Sequence, residues 1–427
     1  MTSAMSMGLR AASLAGKLAL SLFMAKFFSL AELGRYGLAF GAVMLAVVAF
    51  GFRIDYVLSR EVLGLDRRES QRIGTTVLWI FLISFAAAAP LALWALLSAG
   101  DTGSSAIYLV LVYVLCCVES YANFLYTTTI ALKRATLANA LFFMRSGLWT
   151  APAILISYLV PSLRTVGFVL VCWLAGVSLS VILNQWFTRE RLLGRFGWFG
   201  LAWSEAKAFI RRALLVWIGS VGLTLGAYVD RFVLATYMTL SDVGVATFYL
   251  SFATSVITLV QSATTSVTFP ILIEHYDKGD HRRYGKELRK TTMIAAVLAA
   301  AILVPLAVAM PFIARAMDKP ALVASYPAFV VLLAATWLRI NAETLYYALF
   351  VHRQHREIWL GNLLFLFVAF GLNMALIPSF GLTGLAISAL IAALGLLAWR
   401  GLFAARHRPG SRSDQPPCLG IDEGAAE

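Results

Sequence analysis

The chain has 427 residues, 60% of them hydrophobic and only 13% charged, with a mean hydropathy of +0.80. Soluble domains run at roughly 45–50% apolar and about 25% charged, so a water-soluble fold would have no interior for the surplus, and a soluble enzyme or binding module is excluded. The net charge of +13 would suit nucleic acid, but the basic residues lie in short runs between apolar segments and form no single patch, so they report membrane topology and no nucleic-acid partner.

Stretches of about 20 apolar residues cross a hydrocarbon layer of roughly 30 Å. Such stretches predict twelve helices, near 8–28, 36–57, 74–98, 105–132, 138–160, 165–187, 213–236, 243–273, 291–314, 325–351, 357–378 and 381–403. The first carries Lys17 and lacks a small-residue cleavage site, which reads as a helix and not as a removable signal peptide. With the N-terminus in the cytoplasm, 25 of the 35 Lys and Arg residues fall on the inner side. Lys26, Arg35, Arg164, Arg315 and Lys319 fall outside, and Lys17, Arg53, Arg145, Arg231 and Arg339 fall within spans. That asymmetry predicts a multi-pass protein of a bacterial inner membrane with an even number of spans and both termini cytoplasmic.

The predicted loops at 188–212 and 274–290 are basic, and Trp198 and Trp203 suit an amphipathic helix lying at the membrane surface. The segment from Arg406 onward is polar and rich in Pro and Gly, so it is expected to be disordered. Cys116, Cys117, Cys172 and Cys418 have no metal-ligand spacing and read as packing residues; neither metal nor cofactor is expected.

An internal repeat organises these helices. Residues 29–34 read SLAELG between the first two spans, and 239–244 read TLSDVG between the seventh and eighth, at an offset of 210. The same offset pairs Gly16 with Gly226, Ala25 with Ala235 and Phe27 with Tyr237. VPSLRTVG at 160–167 matches IPSFGLTG at 377–384, each between the fifth and sixth span of its half. Taken singly, these residues are turn formers. Taken together they predict an all-α polytopic membrane protein of two six-helix lobes in the same orientation, related by a pseudo-two-fold along the membrane normal. The expected division is an N-terminal lobe over 1–187, a basic cytoplasmic linker over 188–212, a C-terminal lobe over 213–405 and a tail over 406–427.

AKFFSLAELGRYGLA near the start, DRFVLATYMTLSDVGVATFY at 230–249 and LNMALIPSFGLTGLAISALIA at 372–392 resemble the polysaccharide-export or O-antigen flippases of the Wzx type. These lie within the multidrug/oligosaccharidyl-lipid/polysaccharide (MOP) exporter superfamily. The resemblance implies two lobes that move an undecaprenyl-pyrophosphate-linked oligosaccharide to the outer leaflet by alternating access. The product would be O-antigen, capsule or exopolysaccharide. It further implies membrane lipids, a polymerase and export machinery as partners. The two helices beyond twelve that lipid II flippases of the superfamily possess have no counterpart among the predicted spans.

An ionisable group at the bilayer centre costs roughly 2.5–3.5 kcal/mol on insertion scales, which makes each one a site candidate. Nine in the predicted spans are taken as site candidates: Lys17, Arg53, Asp55, Glu119, Arg145, Asp230, Arg231, Arg339 and Glu343. A pyrophosphate head group needs cations, so Lys17, Arg53, Arg145, Arg231 and Arg339 are the candidate substrate contacts. Arg339 and Glu343, four apart, are alternatively a self-neutralising pair. Arg53 and Lys26 are placed to snorkel, and Lys26 is half a helical rotation from Lys17. Asp230 has Arg231 or a cation of a neighbouring helix as its open choices of partner. Glu119, Asn123 and Tyr126 share one face of the fourth span, as sugar binding or ion coupling would require. If transport is ion-coupled, the carboxylates Asp55, Glu119, Asp230 and Glu343 are the candidates, since all five His residues lie in predicted loops or the tail. The stripe Ser251, Ser255, Thr258, Ser262 and Thr265 on the eighth span is either polar lining or close helix packing.

Other function classes fit less well. GLDRRESQR after the second span has the flavour of a major-facilitator loop but lacks its second Gly and its repeat. A cation-coupled multidrug antiporter of the same superfamily would need an acidic cavity, whereas the spans hold five cations and four acids. A membrane glycosyltransferase or polymerase would need a large extracytoplasmic loop with clustered carboxylates, and none is predicted, so the protein is read as a transporter and not an enzyme.

Overall fold

The computed structural model describes residues 2–54, 67–98, 103–192, 203–352 and 354–406, all of them helix or short connection, with no strand among them. Asp55, Trp198 and the segment from 407 onward therefore lie outside the described residues. Eleven helices are long and apolar enough to cross a membrane. The last, His355–Arg406, has 52 residues, about 78 Å at 1.5 Å per residue, more than twice the hydrocarbon thickness. It breaks at Gly381, whose φ of 54° and ψ of −128° suit glycine alone. Trp399 Nε1 then donates to Glu357 O and Ser388 Oγ to Ala369 O, so its two arms run antiparallel as the eleventh and twelfth spans. The protein is a multi-pass membrane protein, and its described residues form twelve spans.

In the first half the spans are Thr2–Phe27, Leu30–Gly51, Arg67–Ser98, Gly103–Ala131, a broken fifth span from Ala135 to Leu159, and Val166–Leu192. In the second they are Trp203–Tyr237, Leu240–Ala263, His281–Ala316, Tyr326–Val351 and the two arms just described. Several boundaries move from those expected. The second helix starts six residues early because Ser29 caps it, accepting from Glu32 N–H, and it stops at Gly51, where Phe52 and Arg53 turn left-handed. The eighth span ends at Ala263, and a separate helix, Thr265–Asp277, follows. The seventh begins at Trp203 and the sixth continues to Leu192, so helix occupies much of the segment expected as linker. The ninth begins at His281, capped by Asp280, so most of the expected basic loop at 274–290 is helical.

The two repeats are equivalent in three dimensions. Thr239 caps the eighth span as Ser29 caps the second, accepting from Asp242 N–H, and Asp242 stands 210 residues from Glu32. These two helix starts cross one another. A Cβ on Gly34 would overlap Leu240 O, and a Cβ on Gly244 would overlap Leu30 O, each contact being the other shifted by the repeat offset. Gly37 likewise lies against Thr247, its own equivalent. A contact that is its own mirror under exchange of the halves is the mark of a two-fold interface. The buried core runs across it: Leu33, Tyr36 and Val43 share one cluster with Val243, Ala246 and Phe248. The seam continues where Trp217 Nε1 of the seventh span donates to Val48 O of the second.

The fifth span is irregular where it matters. Met144–Leu148 form a π-helical turn between Ala135–Phe143 and Thr150–Leu159. Trp149 Nε1 donates to the Arg145 carbonyl that this turn frees, and Thr150 Oγ1 donates to Gly147 O. The first span packs closely on this turn: a Cβ on Gly147 would stand 2.7 Å from Ser13 Cα, and one on Gly16 2.6 Å from Thr150 Oγ1.

Overpacking a close backbone crossing costs about 1–3 kcal/mol. Gly34→Val and Gly244→Val should each lower the thermal unfolding midpoint by several degrees in detergent, read by intrinsic fluorescence. Gly371→Val, at a position with nothing within 4 Å of the added Cβ, should leave it unchanged.

Candidate functional site

Lys17 follows Gly16, where the first span packs closely on the fifth. Its Nζ lies 5.7 Å from the centre of the Phe40 ring. From the other lobe, Arg231 Cζ lies 5.9 Å from the same ring and 5.1 Å from that of Tyr228, itself 6.0 Å from Phe40. Two cations, one from each lobe, therefore meet at one aromatic ring on the seam. The Asp230 carboxylate accepts the Arg231 backbone N–H at 2.7 Å, while the Arg231 guanidinium turns to the rings. Arg339 acts electrostatically on both Asp230 and Tyr228, and its guanidinium sits 5.3 Å from the Phe365 ring centre.

A second group lies within the N-terminal lobe. Arg145, carried by the π turn, places Nε 3.0 Å from Glu119 Oε1, and its Nη2 donates to Asn123 Oδ1 at 3.4 Å. Both side chains of the ion pair are buried. Glu119 also interacts electrostatically with Lys17. Arg145 borders a cleft with Tyr126, Phe142, Ser180 and Asn184, and Arg53 and Asn123 border another with Ser120 and Phe81.

The expected face of the fourth span is thus assembled, but its Tyr126 is held by a residue outside the candidate set. Arg10 Nη2 donates to Tyr126 OH at 2.6 Å and Arg10 Nε to Asn139 Oδ1 at 3.3 Å. Arg10 lies seven residues before Lys17, on the same face of the first helix, a spacing that would have marked it. Lys26 is exposed, with Nζ 5.9 Å from the Phe27 ring centre, away from this face.

The reading of Arg339 and Glu343 as a self-neutralising pair is corrected. Glu343 Oε1 lies 3.3 Å from Arg400 Nη1, and among the described residues no ion pair forms between Glu343 and Arg339. Arg400 is fully buried and also donates to Ala342 O and Asn362 Oδ1, each at 3.0 Å. It stands near the end of the twelfth predicted span, where a basic side chain is expected to reach the interface. Arg53, expected inside the second span, stands on the left-handed turn that follows it. In the eighth span Ser251, Ser255 and Thr258 donate to carbonyls three or four residues back, and Ser251 Oγ lies 2.9 Å from Ser21 Oγ of the first span. These contacts are those of helix packing.

No protein-family profile matches the chain, and no curated protein matches it by sequence. Solved structures do match in fold. One is a multidrug resistance MATE family transporter of the MOP superfamily in its inward-facing conformation. The TM-score is 0.72 at 13% identity, over 96% of this chain and 99% of that one. Another is the lipid II flippase MurJ in an inward closed conformation, with a TM-score of 0.76 at 14% identity, over 94% of this chain and 87% of that one. A MATE transporter in its outward-facing conformation matches with a TM-score of 0.59 at 13% identity, over 95% of both chains. The chain shares its fold with these transporters.

Removing one partner of a buried ion pair costs about 3–5 kcal/mol, because the other charge is stranded. Arg400→Met and Glu343→Gln should each lower the unfolding midpoint sharply in a thermal scan. The double variant Arg400→Met/Glu343→Leu should regain most of the loss.

Proposed function

We propose that the protein is a flippase that carries an undecaprenyl-pyrophosphate-linked oligosaccharide across a bacterial inner membrane by alternating access, for assembly of a surface polysaccharide. The observation that carries this reading is the meeting of Lys17 and Arg231, one from each lobe, on the Phe40 ring. Bringing an ion out of water costs several kcal/mol after relaxation. A cation–π contact offsets about 0.5–2 kcal/mol of that. Arg231 is buried, and neither its Nε nor that of Arg339 has a hydrogen-bond partner. Stability alone would not retain such groups, whereas an anionic cargo uses them.

The charges around the seam sharpen the class of cargo. Lys17, Arg145, Arg231 and Arg339 outnumber Glu119 and Asp230, so the assembled site attracts anions. A pyrophosphate presents several acceptor oxygens to Arg and Lys donors, and sugars suit the amide and phenol of Asn123 and Tyr126. Cation-coupled multidrug antiport, the alternative within the same fold, would need the opposite balance. We place both termini in the cytoplasm, with lobes over 1–187 and 213–405 joined by 188–212 and a tail over 406–427. A polymerase and export machinery would take the product on the far side.

In a host whose own flippase gene is deleted, expressing the wild type should restore surface polysaccharide, and Lys17→Ala or Arg231→Ala should abolish that restoration at unchanged membrane levels. Restoration by both variants would sink the cationic site. Ethidium efflux in place of polysaccharide export would establish the antiporter.

A further inference from the structure

We propose that Glu119 is a resident counter-ion which occupies Arg145 until the phosphate of the cargo displaces it, with Lys17 taking up the freed carboxylate. This rests on the flippase reading. The chain contains an internal comparison, because the fourth span of each lobe carries a glutamate paired to an arginine of the same lobe. In the C-terminal lobe, Arg400 donates to a carbonyl and an amide at 3.0 Å besides meeting Glu343, so two neutral partners hold its guanidinium even though its Nε and Glu343 Oε1 make no hydrogen bond. The N-terminal pair is not finished in this way. Arg145 Nε is close to Glu119 Oε1 but makes no hydrogen bond, Arg145 Nη1 has no partner, and Glu119 Oε2 has none. Its one hydrogen bond to a neutral group is long, 3.4 Å to Asn123. The side chains of Arg145 and Glu119 are only 8% and 4% exposed, so water does not complete the pair.

Arg145 borders a cleft, and with the Glu119 carboxylate displaced its Nε–H and its unpartnered Nη1 are donors open to phosphate oxygens. The displaced carboxylate has somewhere to go. Lys17 on the first span lies within electrostatic reach of Glu119, Arg145 on the fifth stands 3.0 Å from it, and Arg53 borders the Asn123 cleft after the second. Exchange of partners therefore leaves no buried charge alone. The backbone can accommodate the exchange too, since Arg145 stands on a π turn whose regular hydrogen-bond ladder is already interrupted.

The test is the affinity of the protein in lipid nanodiscs for undecaprenyl pyrophosphate, with undecaprenol as the phosphate-free control. Glu119→Gln should bind the pyrophosphate about tenfold more tightly, as expected when a competing charge-assisted contact is removed. Glu119→Asp should stay near the wild type, and the gain should vanish in the Arg145→Gln background. Affinity unchanged or weakened in Glu119→Gln would make the glutamate a structural partner only. Should Glu119→Gln not fold, infrared difference spectra of the wild type on adding pyrophosphate decide the matter: a carboxylate band must shift, and the shift must change in Glu119→Asp. Equal binding of pyrophosphate and undecaprenol by the wild type would overturn the flippase reading, and this inference with it.

Discussion

The close crossing of the second and eighth spans holds the two lobes in register. Gly34 and Gly244 let two backbones approach until each glycine touches the carbonyl of the other repeat's helix start. In lipid, apolar side chains gain little by leaving the bilayer, so association of helices rests on close packing, for which small residues are suited. Caps at Ser29 and Thr239 fix where both helices begin, and so fix the height at which the glycines meet. Everything across the seam follows from that height. The Phe40 ring, six residues from Gly34, is carried to Arg231 on the opposite lobe.

On this symmetric frame the charges are placed asymmetrically. At the repeat offset, Lys17 corresponds to Ala227 and Arg231 to Ser21, so neither seam cation has a charged twin. A symmetric set of four would have doubled both the charge and the cost of burying it. The two glutamate–arginine pairs divide along the same line. Arg400 ties together the tenth, eleventh and twelfth spans through two neutral partners at 3.0 Å, whereas Arg145 has one long contact to Asn123 and borders a cleft.

Membrane composition made the helical class and the repeat legible, because bilayer thickness fixes span length and the repeat lies in short polar turns that interrupt apolar runs. The capping residues were visible in SLAELG and TLSDVG, yet the crossing of their glycines was not, since close approach leaves no trace in hydropathy. The π turn at Met144–Leu148 was equally hidden: periodicity over a few residues does not distinguish one extra residue per turn. Candidate charges were found by asking which ionisable groups lie in apolar runs. That rule missed Arg10 and Arg400, which stand near the ends of spans and looked free to reach water. Burial of Arg400 depends on the eleventh span folding back at Gly381, a contact between segments distant in sequence. Partner choice was the least legible quantity, as the exchange of Arg339 for Arg400 beside Glu343 shows.

The glycine crossing and the aromatic ring of the candidate site share one helix. Gly34, Gly37 and Gly41 line one face of the second span against the eighth and seventh, and Phe40 lies beside the last of them. Parting of the lobes at Gly34 would carry Phe40 and Lys17 away from Arg231, because those groups ride on opposite lobes. The site would then lose a cation without any side chain changing its own conformation. A ligand shifts a conformational equilibrium only as far as its affinities for the two states differ. Splitting the cation set between lobes would provide such a difference for the anionic cargo proposed above.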